Sequence, residues 1–252
     1  MDLGLTDRVF VVTAGSAGLG RASADQLVAE GARVVLVARR ADVLDDAVAD
    51  LGSANAVALA SDLAEPGTAQ AAAELAVRTF GRLDGALISV GGPPPGTVLA
   101  NSDEQWLAAF DSVFLAALRT IRAVLAAATG PASIGVVLST SVKVPIPSLA
   151  ISNGLRPGLA MLLKQLADEI GPDGSRVFGL MPGTILTERI KFLHGQSADP
   201  AAARTDAERR IPLRRLGEPA EFGRVAAFLL SPAASYVTGS LVAVDGGALR
   251  AL

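Results

Sequence analysis

The sequence predicts an α/β fold with a doubly wound, parallel sheet of about seven strands. Short apolar runs rich in Val, Leu and Ala alternate along the chain with longer segments of helical periodicity. The runs are apolar at almost every position, which is typical of strands buried on both faces of a parallel sheet. The 252 residues, half of them hydrophobic and 19% charged, suit one domain with a large core.

Each apolar run is short enough to be a strand and is followed by turn residues or by a helical pattern. The predicted strands are RVFVVT (8–13), ARVVLV (32–37), NAVALA (55–60), GALIS (85–89), SIGVVLS (133–139), SRVFGL (175–180) and SLVAVD (240–245). The predicted helices cover residues 18–30, 41–51, 66–80, 103–128, 152–171 and 218–231. Because no repeat or linker interrupts this alternation, residues 1–252 are expected to form a single domain.

One long segment, roughly 184–216, shows no apolar period and is predicted to be irregular. It is rich in charge and contains GQSADP. A segment of this length in a compact domain is typical of a substrate lid over a site. A disordered surface insertion is the alternative, and the sequence leaves both interpretations open.

Composition excludes several classes of function. The net charge of −3 argues against a nucleic-acid partner, and the lack of cysteine excludes disulfides, thiolate catalysis and zinc–thiolate sites. The single histidine, His194, cannot form a histidine-rich metal site, so no metal is expected. Neither a membrane-length apolar stretch nor a signal peptide is visible, which predicts a cytoplasmic protein without a membrane partner.

A glycine-rich turn joins the first predicted strand to the first predicted helix. The strand ends at Thr13, and Gly15, Gly18 and Gly20 follow within TAGSAGLG. Small residues let the backbone approach a pyrophosphate, and a helix N-terminus offers free N–H groups. The Lys-Ser/Thr ending of a P-loop is absent. The turn therefore predicts a Rossmann-like dinucleotide site rather than nucleotide hydrolysis.

Two arginines follow the second strand, in LVARR. An acidic residue at this point would bind the ribose of NAD, whereas an arginine accommodates the additional phosphate of NADP. Arg39 occupies the position and Arg40 follows it, so NADP(H) is predicted to be preferred over NAD(H). Asp62, after the third strand, could accept a hydrogen bond from adenine or cap the next helix, and the sequence does not decide between these roles.

These motifs together resemble the short-chain dehydrogenase/reductase family, and the resemblance covers almost the whole chain. The matching segments are TAGSAGLG (13–20), DLAEPG (62–67), LISVGG (87–92), MPGTILT (181–187) and the C-terminal RRLGEPAEFGRVAAFLLSPAASYVTGSLVAVDGG. The last segment is similar to 3-oxoacyl-carrier-protein reductases. Two segments depart from the family pattern: Ala14 replaces the first glycine of the turn, and LISVGG keeps only the final glycine of an Asn-Asn-Ala-Gly motif.

The resemblance implies a set of cofactor-binding residues along these motifs. The MPGTILT segment lies along the nicotinamide half of the cofactor in the family. The implied residues are Thr13, Gly15, Ser16, Gly18, Leu19, Gly20, Arg39, Arg40, Asp62, Leu63, Gly91, Pro182, Gly183, Ile185 and Thr187.

The resemblance also implies the catalytic positions: a serine after the fifth strand, a Tyr-x-x-x-Lys on the next helix and an asparagine on the preceding helix. Counting from MPG and from Trp106 places them at Ser139, Ser152, Arg156 and Val113, so only the serine is retained. A serine hydroxyl is a far weaker acid than a phenol, and an arginine stays protonated, so the usual proton relay is not reproduced. Arg156 is predicted instead to stabilise a developing alkoxide or to bind a substrate carboxylate. Ser152 would hydrogen-bond the carbonyl beside Ser139, with water as the proton source.

Other residues near the predicted site have two interpretations each. Lys143 is either a substitute acid or an ordinary solvated charge. The stiff loop GGPPPG (91–96) is either a pocket rim or a turn without a ligand. Together with Ser-Asn-x-x-Arg it resembles an atypical branch of the reductases. Tyr236, which lies away from the nicotinamide in the family, is not expected to be catalytic, and Trp106 and His194 are expected to pack.

The main functional hypothesis is an atypical NADP(H)-dependent oxidoreductase acting on a small-molecule carbonyl or alcohol. The alternative is a cofactor-binding pseudoenzyme that acts as a sensor or partner subunit, and a third hypothesis is that cofactor binding is lost as well. The broad Ala/Leu surfaces at 103–128 and 152–171 predict a homo-oligomer, a dimer or a tetramer, since the corresponding helices pair between subunits in the family.

Overall fold

A seven-stranded parallel sheet forms the centre of the molecule, as predicted. The structure is a computed structural model that describes residues 1–195 and 199–251. The strands are β1 (Val9–Thr13), β2 (Arg33–Ala38), β3 (Ala56–Ala60), β4 (Gly85–Ile88), β5 (Ser133–Val137), β6 (Arg176–Pro182) and β7 (Ser240–Val244). Their order is β3-β2-β1-β4-β5-β6-β7, with each neighbouring pair parallel. All seven predicted strands are confirmed to within about two residues at each end.

Helices cover both faces of the sheet. They are α1 (Gly18–Ala29), α2 (Ala41–Leu51), α3 (Thr68–Phe80), α4 (Asp103–Ala109), α5 (Ala116–Ala127), α6 (Ala150–Ile170), α7 (Glu188–Gly195), α8 (Pro200–Arg210) and α9 (Pro219–Leu230). None of the helices in the described ranges combines the length and the apolarity needed to cross a membrane.

The core consists of two layers, one on each face of the sheet. Successive residues of a strand point to opposite faces, so Val9 and Val11 pack into one layer while Phe10 and Val12 pack into the other. The first layer is closed by α3, α5 and α6, and the second by α1, α2 and α9. This two-sided burial explains why the strands are apolar without alternation.

The segment 184–216 is not irregular, so that prediction is wrong. It contains α7 and α8, and the Asp199 carboxylate caps α8 by accepting a hydrogen bond from Ala202 N at 2.9 Å. Ion pairs one turn apart, Lys191–Glu188 and Arg204–Glu208, stabilise these helices. Because α8 is polar on nearly all sides, it lacks the apolar period by which the helices outside this segment were identified. Residues 196–198 and the side chain of His194 lie outside the described part of the chain.

The predicted helix 103–128 is interrupted. Between α4 and α5 the backbone adopts a π-helix over Phe110–Leu115. Val113, the family's asparagine position, lies in the middle of this π-turn and is buried. Such turns free backbone carbonyls from the regular helical ladder and often occur at functional sites.

Candidate active site at the carboxyl ends of the strands

The strand order reverses between β1 and β4, and ligands of doubly wound sheets bind at this point beyond the carboxyl ends of the strands. The turns that follow β1, β4, β5 and β6 meet here because all these strands are parallel. We call this edge of the sheet the carboxyl edge.

The glycine turn after β1 is closely packed. A Cβ atom on Gly20 would collide with the carbonyl oxygen of Ala14 and lie 2.9 Å from its carbonyl carbon. A Cβ atom on Gly15 would lie 2.8 Å from the carbonyl oxygen of Val12. Ala14 and Gly18 adopt positive φ angles of 49° and 58°. The turn therefore folds back on itself at a tightness that only small residues permit.

The N-terminus of α1 has N–H groups available for an anion. Its N-cap residue, Ala17, provides no side-chain hydrogen bond, and the first turn of α1 contains no acidic residue. An uncapped helix start carries a partial positive charge together with free donors. With the tight turn before it, this geometry fits the pyrophosphate of a dinucleotide.

The Thr13 side chain links β1 to β4. Its hydroxyl donates to the Ser89 carbonyl at 2.6 Å and accepts from Ser89 N at 2.8 Å. The residue is fully buried. Within the described structure, Thr13 thus shapes the cradle by joining the two strands at the reversal of strand order.

Arg39 and Arg40 lie at the end of β2 with exposed side chains. Neither forms an ion pair or a side-chain hydrogen bond with any residue that the structure describes. Two adjacent cations just before the start of α2 repel each other and oppose the helix dipole, so a phosphate group would be favoured here.

Asp62 is not a helix cap. Its carboxylate accepts a hydrogen bond from Ala64 N at 3.0 Å, whereas α3 begins at Thr68 after an N-cap at Gly67. The capping interpretation is therefore wrong. Contact of Asp62 with the adenine stays a prediction, and the exposed side chain permits it.

The segment after β6 brings the second half of the predicted cofactor site to the glycine turn. A Cβ atom on Gly18 would lie 3.6 Å from the methyl group of Thr187, and Ile185 is buried and forms an isolated bridge with Gly217. The remaining predicted residues line this edge as half-buried or exposed positions: Ser16, Leu19, Leu63, Gly91, Pro182 and Gly183.

A serine cluster follows β5, and it includes a residue that the sequence analysis missed. Ser152 is buried on α6, and its hydroxyl lies 3.2 Å from the hydroxyl of Ser141. Ser139 accepts a hydrogen bond from Ser141 N at 3.1 Å, as the N-cap of a 3₁₀ turn over Thr140–Val142. Counting along the chain selected Ser139 alone. The 3₁₀ turn brings Ser141 back toward α6, and the repeated serine in STS was the available signal.

Arg156 is a buried cation one helical turn after Ser152 on α6. Nη1 donates to the Val137 carbonyl at 2.9 Å, and no carboxylate among the described residues pairs with the guanidinium. Burial, with a further contribution from the positive charge of Arg189, lowers the pKa of Arg156 to about 10. The side chain still carries its charge at neutral pH, at the carboxyl end of β5.

Arg189, near the start of α7, also reaches this region and was not singled out from the sequence. Its guanidinium lies against Gly92 in the loop after β4, where a Cβ atom on the glycine would be 2.7 Å from Cζ. The only available signal was its place two residues after the MPGTILT segment.

Backbone contacts tie the GGPPPG loop to the segment that precedes α6. Gly96 N donates to the Ser148 carbonyl at 2.8 Å, and Ala150 N donates to the Gly96 carbonyl at 3.2 Å. Asn153 holds the same segment with two hydrogen bonds to the backbone of Ile146, one at 3.0 Å and one at 2.9 Å. The two loops therefore form one wall of the site.

Trp106, Lys143 and Tyr236 were also considered from the sequence. The Trp106 ring packs on Gly154 of α6, in agreement with a packing role. Lys143 is exposed on the segment before α6, and Tyr236 is fully exposed after the 3₁₀ turn Pro232–Ala234.

A cavity of about 590 Å³ lies beside the carboxyl end of β7, between the start of α9 and the end of segment 184–216. Thr184, Leu213 and Asp245 are among its lining residues, whereas Ser139, Ser152 and Arg156 are not. The chemistry-bearing side chains thus surround a different part of the carboxyl edge.

Comparison with known proteins agrees with the fold. A family model described as enoyl-(acyl carrier protein) reductase matches residues 13–248. The chain is 33% identical over 248 residues to an uncharacterized oxidoreductase of Mycobacterium tuberculosis, covering 96% of this chain and 92% of that protein.

Several solved structures match over the full length of both chains, and two of them are informative here. One is L-sorbose reductase from Gluconobacter frateurii, complexed with NADPH and L-sorbose, with 31% identity, a TM-score of 0.93 and 100% coverage of each chain. The other is an apo short-chain oxidoreductase from Pseudomonas aeruginosa that contains an atypical catalytic center, with 29% identity, a TM-score of 0.92 and 100% coverage of each chain.

Proposed function

Because the chain belongs to the short-chain dehydrogenase/reductase family, we propose that it is an atypical NADP(H)-dependent oxidoreductase that interconverts a carbonyl compound and its alcohol. The observation that carries this proposal is Arg156, a buried cation without a carboxylate partner among the described residues. It lies at the same edge of the sheet as a glycine turn that fits a dinucleotide.

The cofactor would be held by the residues that converge on the reversal of strand order. The glycine turn and the N-terminus of α1 suit its pyrophosphate, and Arg39 and Arg40 suit the additional phosphate of NADP. The segment 182–187 suits its nicotinamide half. When bound, the nicotinamide supplies or accepts the hydride of the reaction.

Arg156 and the serines would act on the substrate oxygen. In reduction the carbonyl oxygen gains negative charge, and a fixed guanidinium in a water-poor site stabilises that charge without reorganisation. The Ser139 hydroxyl accepts from Ser141 N, so its own hydrogen is available to the substrate oxygen. The proton that completes the alcohol comes from water, because neither serine is acidic enough to replace a phenol.

The energetic cost of Arg156 favours an enzyme over a pseudoenzyme. Burying an unpaired charge destabilises a folded protein, and an apolar replacement of similar size is often more stable. A chain that only bound nucleotide would gain nothing from this charge. The pseudoenzyme remains the second candidate, supported by Ser152, which provides no phenol-like acid and whose hydroxyl is already within hydrogen-bond distance of Ser141.

We further propose that residues 1–252 form a single domain and that segment 184–216 covers the substrate. Thr187 and Arg189, on this segment, reach the glycine turn and the loop after β4 respectively. A helical cover anchored at both places would keep bulk solvent away from the reacting atoms, apart from the water molecule that supplies the proton.

Calorimetric titration of NADPH and NADH, followed by an assay of NADPH oxidation with a panel of carbonyl compounds, tests the proposal. We expect NADPH to bind at least about tenfold more tightly than NADH, and Arg39→Asp to weaken NADPH binding by about 10- to 100-fold. Arg78→Asp is the matched control, since Arg78 is exposed near the end of α3 at the opposite edge of the sheet. Absence of binding for both cofactors would overturn the proposal.

A further inference from the structure

We infer that the substrate is an oxo acid, a carbonyl compound that also carries a carboxylate, and that Arg189 binds this carboxylate. The inference rests on the proposed function and specifies its substrate class. It follows from two cations at the carboxyl edge, Arg156 at the end of β5 and Arg189 against the loop after β4. We refer to these two residues as the arginine pair.

The position of Arg189 is defined by its contact with Gly92. A Cβ atom on that glycine would lie 2.7 Å from Cζ and 2.8 Å from Nη2 of Arg189, so the guanidinium rests directly on the loop backbone. Residues larger than glycine at position 92 would displace it. The contact places a planar group of donors at the rim of the site, in the geometry that binds a carboxylate through two parallel hydrogen bonds.

Arg189 has no anionic partner within the described parts of the chain. The nearest acid in sequence, Glu188, forms an ion pair with Lys191 at 2.7 Å. Most other arginines of segment 184–216 form ion pairs with carboxylates, as in Arg204–Glu208 and Arg215–Glu221. An exposed arginine at the site rim that lacks such a pair is therefore available to a ligand.

The positive charge of Arg189 acts on Arg156 through space and contributes to the lowered pKa of Arg156. Neither guanidinium forms an ion pair with a carboxylate among the described residues. Like charges that converge on one cleft are stabilised by an anion bound between them. An oxo acid provides two matching groups, a carboxylate for Arg189 and a carbonyl oxygen, which becomes negative during reduction, for Arg156.

The cofactor pyrophosphate is the competing anion for Arg189. Three features place Arg189 on the substrate side instead. Its contact is with Gly92 rather than with the glycine turn, the uncapped start of α1 already suits the pyrophosphate, and its charge acts on Arg156. If Arg189 binds the substrate carboxylate, its substitution weakens substrate binding. If it binds the pyrophosphate, its substitution weakens NADPH binding.

The test uses three oxo acids, 2-oxobutanoate, 3-oxobutanoate and 4-oxopentanoate, and the methyl ester of each. The full-length protein is assayed for NADPH oxidation, and binding of each acid to the NADP⁺-loaded protein is measured by calorimetry. We expect at least one acid to be reduced with a kcat/KM about 10- to 100-fold above that of its ester, because the ester cannot form a charge-assisted pair. The acid with the largest ratio of kcat/KM over its ester indicates the spacing between carbonyl and carboxylate that the site prefers.

Substitutions then separate the two possible roles of Arg189. Arg189→Gln should raise the Kd and KM of the preferred acid about 10- to 100-fold and lower the ratio of acid to ester kcat/KM by a similar factor, while the Kd of NADPH stays within about twofold. Arg189→Lys should recover part of the loss, and Arg78→Gln should change neither value.

Two results would overturn the inference while leaving the proposed function intact. The first is reduction of neutral carbonyl compounds as efficiently as any acid in the series. The second is an Arg189→Gln variant that loses NADPH affinity but keeps the preference for acid over ester, because Arg189 would then bind the cofactor. Failure of the wild-type protein to bind NADPH would instead contradict the proposed function itself.

Discussion

Gly20 shows at the scale of one residue why the turn after β1 requires glycine. A side chain there would enter the space of the Ala14 carbonyl group. We predict that Gly20→Ala destabilises the fold by about 2–3 kcal/mol and abolishes tight NADPH binding, since the backbone of the turn must move. Thermal denaturation and calorimetric titration measure the two effects.

Gly130→Ala is the matched control for this substitution. A Cβ atom on Gly130 would have no heavy atom within 4 Å, and its φ angle is not in the left-handed region. This variant should keep both stability and affinity. If Gly20→Ala behaved in the same way as Gly130→Ala, the tight turn would not be the cofactor cradle that we describe.

Arg156 and Arg176 form a contrasting pair of buried arginines. Arg176 donates five hydrogen bonds, to four backbone carbonyls and to Ser133. Arg156 donates one within the described residues, to Val137. We predict that Arg176→Met lowers the unfolding free energy by about 3 kcal/mol, whereas Arg156→Met leaves the Tm at neutral pH equal or higher. A Tm loss for Arg156→Met as large as that of Arg176→Met would show that Arg156 is a structural residue.

The pKa of Arg156 explains why removing its charge should not lower stability, and over which pH range this holds. Burial and the charge of Arg189 lower the pKa to about 10, so the folded protein holds this proton less tightly than the unfolded chain does. The buried charge therefore reduces stability at every pH below about 10, and the penalty disappears only as the pH rises from there toward the ordinary pKa. Carbonyl reduction, which needs the charge, should decline as the pH rises through about 10.

At this scale, residues whose roles follow from their spacing along the chain could be predicted, whereas residues brought to the site by folding could not. Gly15, Gly18 and Gly20 were predicted because the turn itself requires small residues. Ser141 and Arg189 were missed, because the 3₁₀ turn that directs Ser141 toward α6 and the path of α7 above Gly92 arise only from the three-dimensional structure.

The segment before α6 depends on Asn153 at the scale of an element. This side chain makes two hydrogen bonds to the backbone of Ile146 and so fixes the loop that continues into the GGPPPG wall. We predict that Asn153→Ala raises KM for the carbonyl substrate about tenfold and accelerates hydrogen exchange at the Ile146 amide. The Kd of NADPH should not change, because the glycine turn lies on other elements.

Asn153→Asp tests whether the contact is a hydrogen-bond clamp. The introduced carboxylate would keep the acceptor that Ile146 N requires and would lack the donor that the Ile146 carbonyl receives from the amide. Exchange at the Ile146 amide should therefore stay close to wild type, while KM rises to an intermediate value. Equal exchange in wild type and Asn153→Ala would contradict the clamp.

Helices and strands could be predicted where one face or the whole element is buried, because burial leaves an apolar pattern in the sequence. The strands and the helices that pack on them carry strong apolar patterns. Helix α8 has none, because it is polar on nearly all sides and is held by ion pairs and the Asp199 cap. The π-turn over Phe110–Leu115 leaves the same apolar composition as a regular helix, so the pattern predicted one uninterrupted helix.

The whole molecule was predictable to the level of sheet and family. Alternation of buried strands and helices determines a doubly wound sheet, since right-handed crossovers leave few topologies. Shared motifs along the full chain identified the family. The substrate could not be predicted, because it depends on side chains from separate segments that only the folded chain brings to the carboxyl edge.

Exposed apolar side chains on α4, the π-turn and α6 predict a homo-oligomer. Leu107 is 70% exposed, Met161 is 71% exposed and Phe110 is 40% exposed. Exposed large apolar side chains on neighbouring helices are favoured at an interface between subunits. We expect light scattering at micromolar concentration to give a dimer or tetramer, and Leu107→Asp with Met161→Asp to reduce its size. A wild-type monomer would contradict this prediction.

We propose above that the molecule is an active reductase that uses Arg156 in place of the usual Tyr and Lys. Single-turnover oxidation of enzyme-bound NADPH, with wild type and Arg156→Met compared at saturating oxo acid, tests it most directly. We predict oxidation by wild type that is about 100- to 1,000-fold slower in Arg156→Met, with unchanged NADPH affinity. Tight binding of NADPH without oxidation by wild type on any member of the carbonyl panel would contradict the claim and identify a cofactor-binding pseudoenzyme.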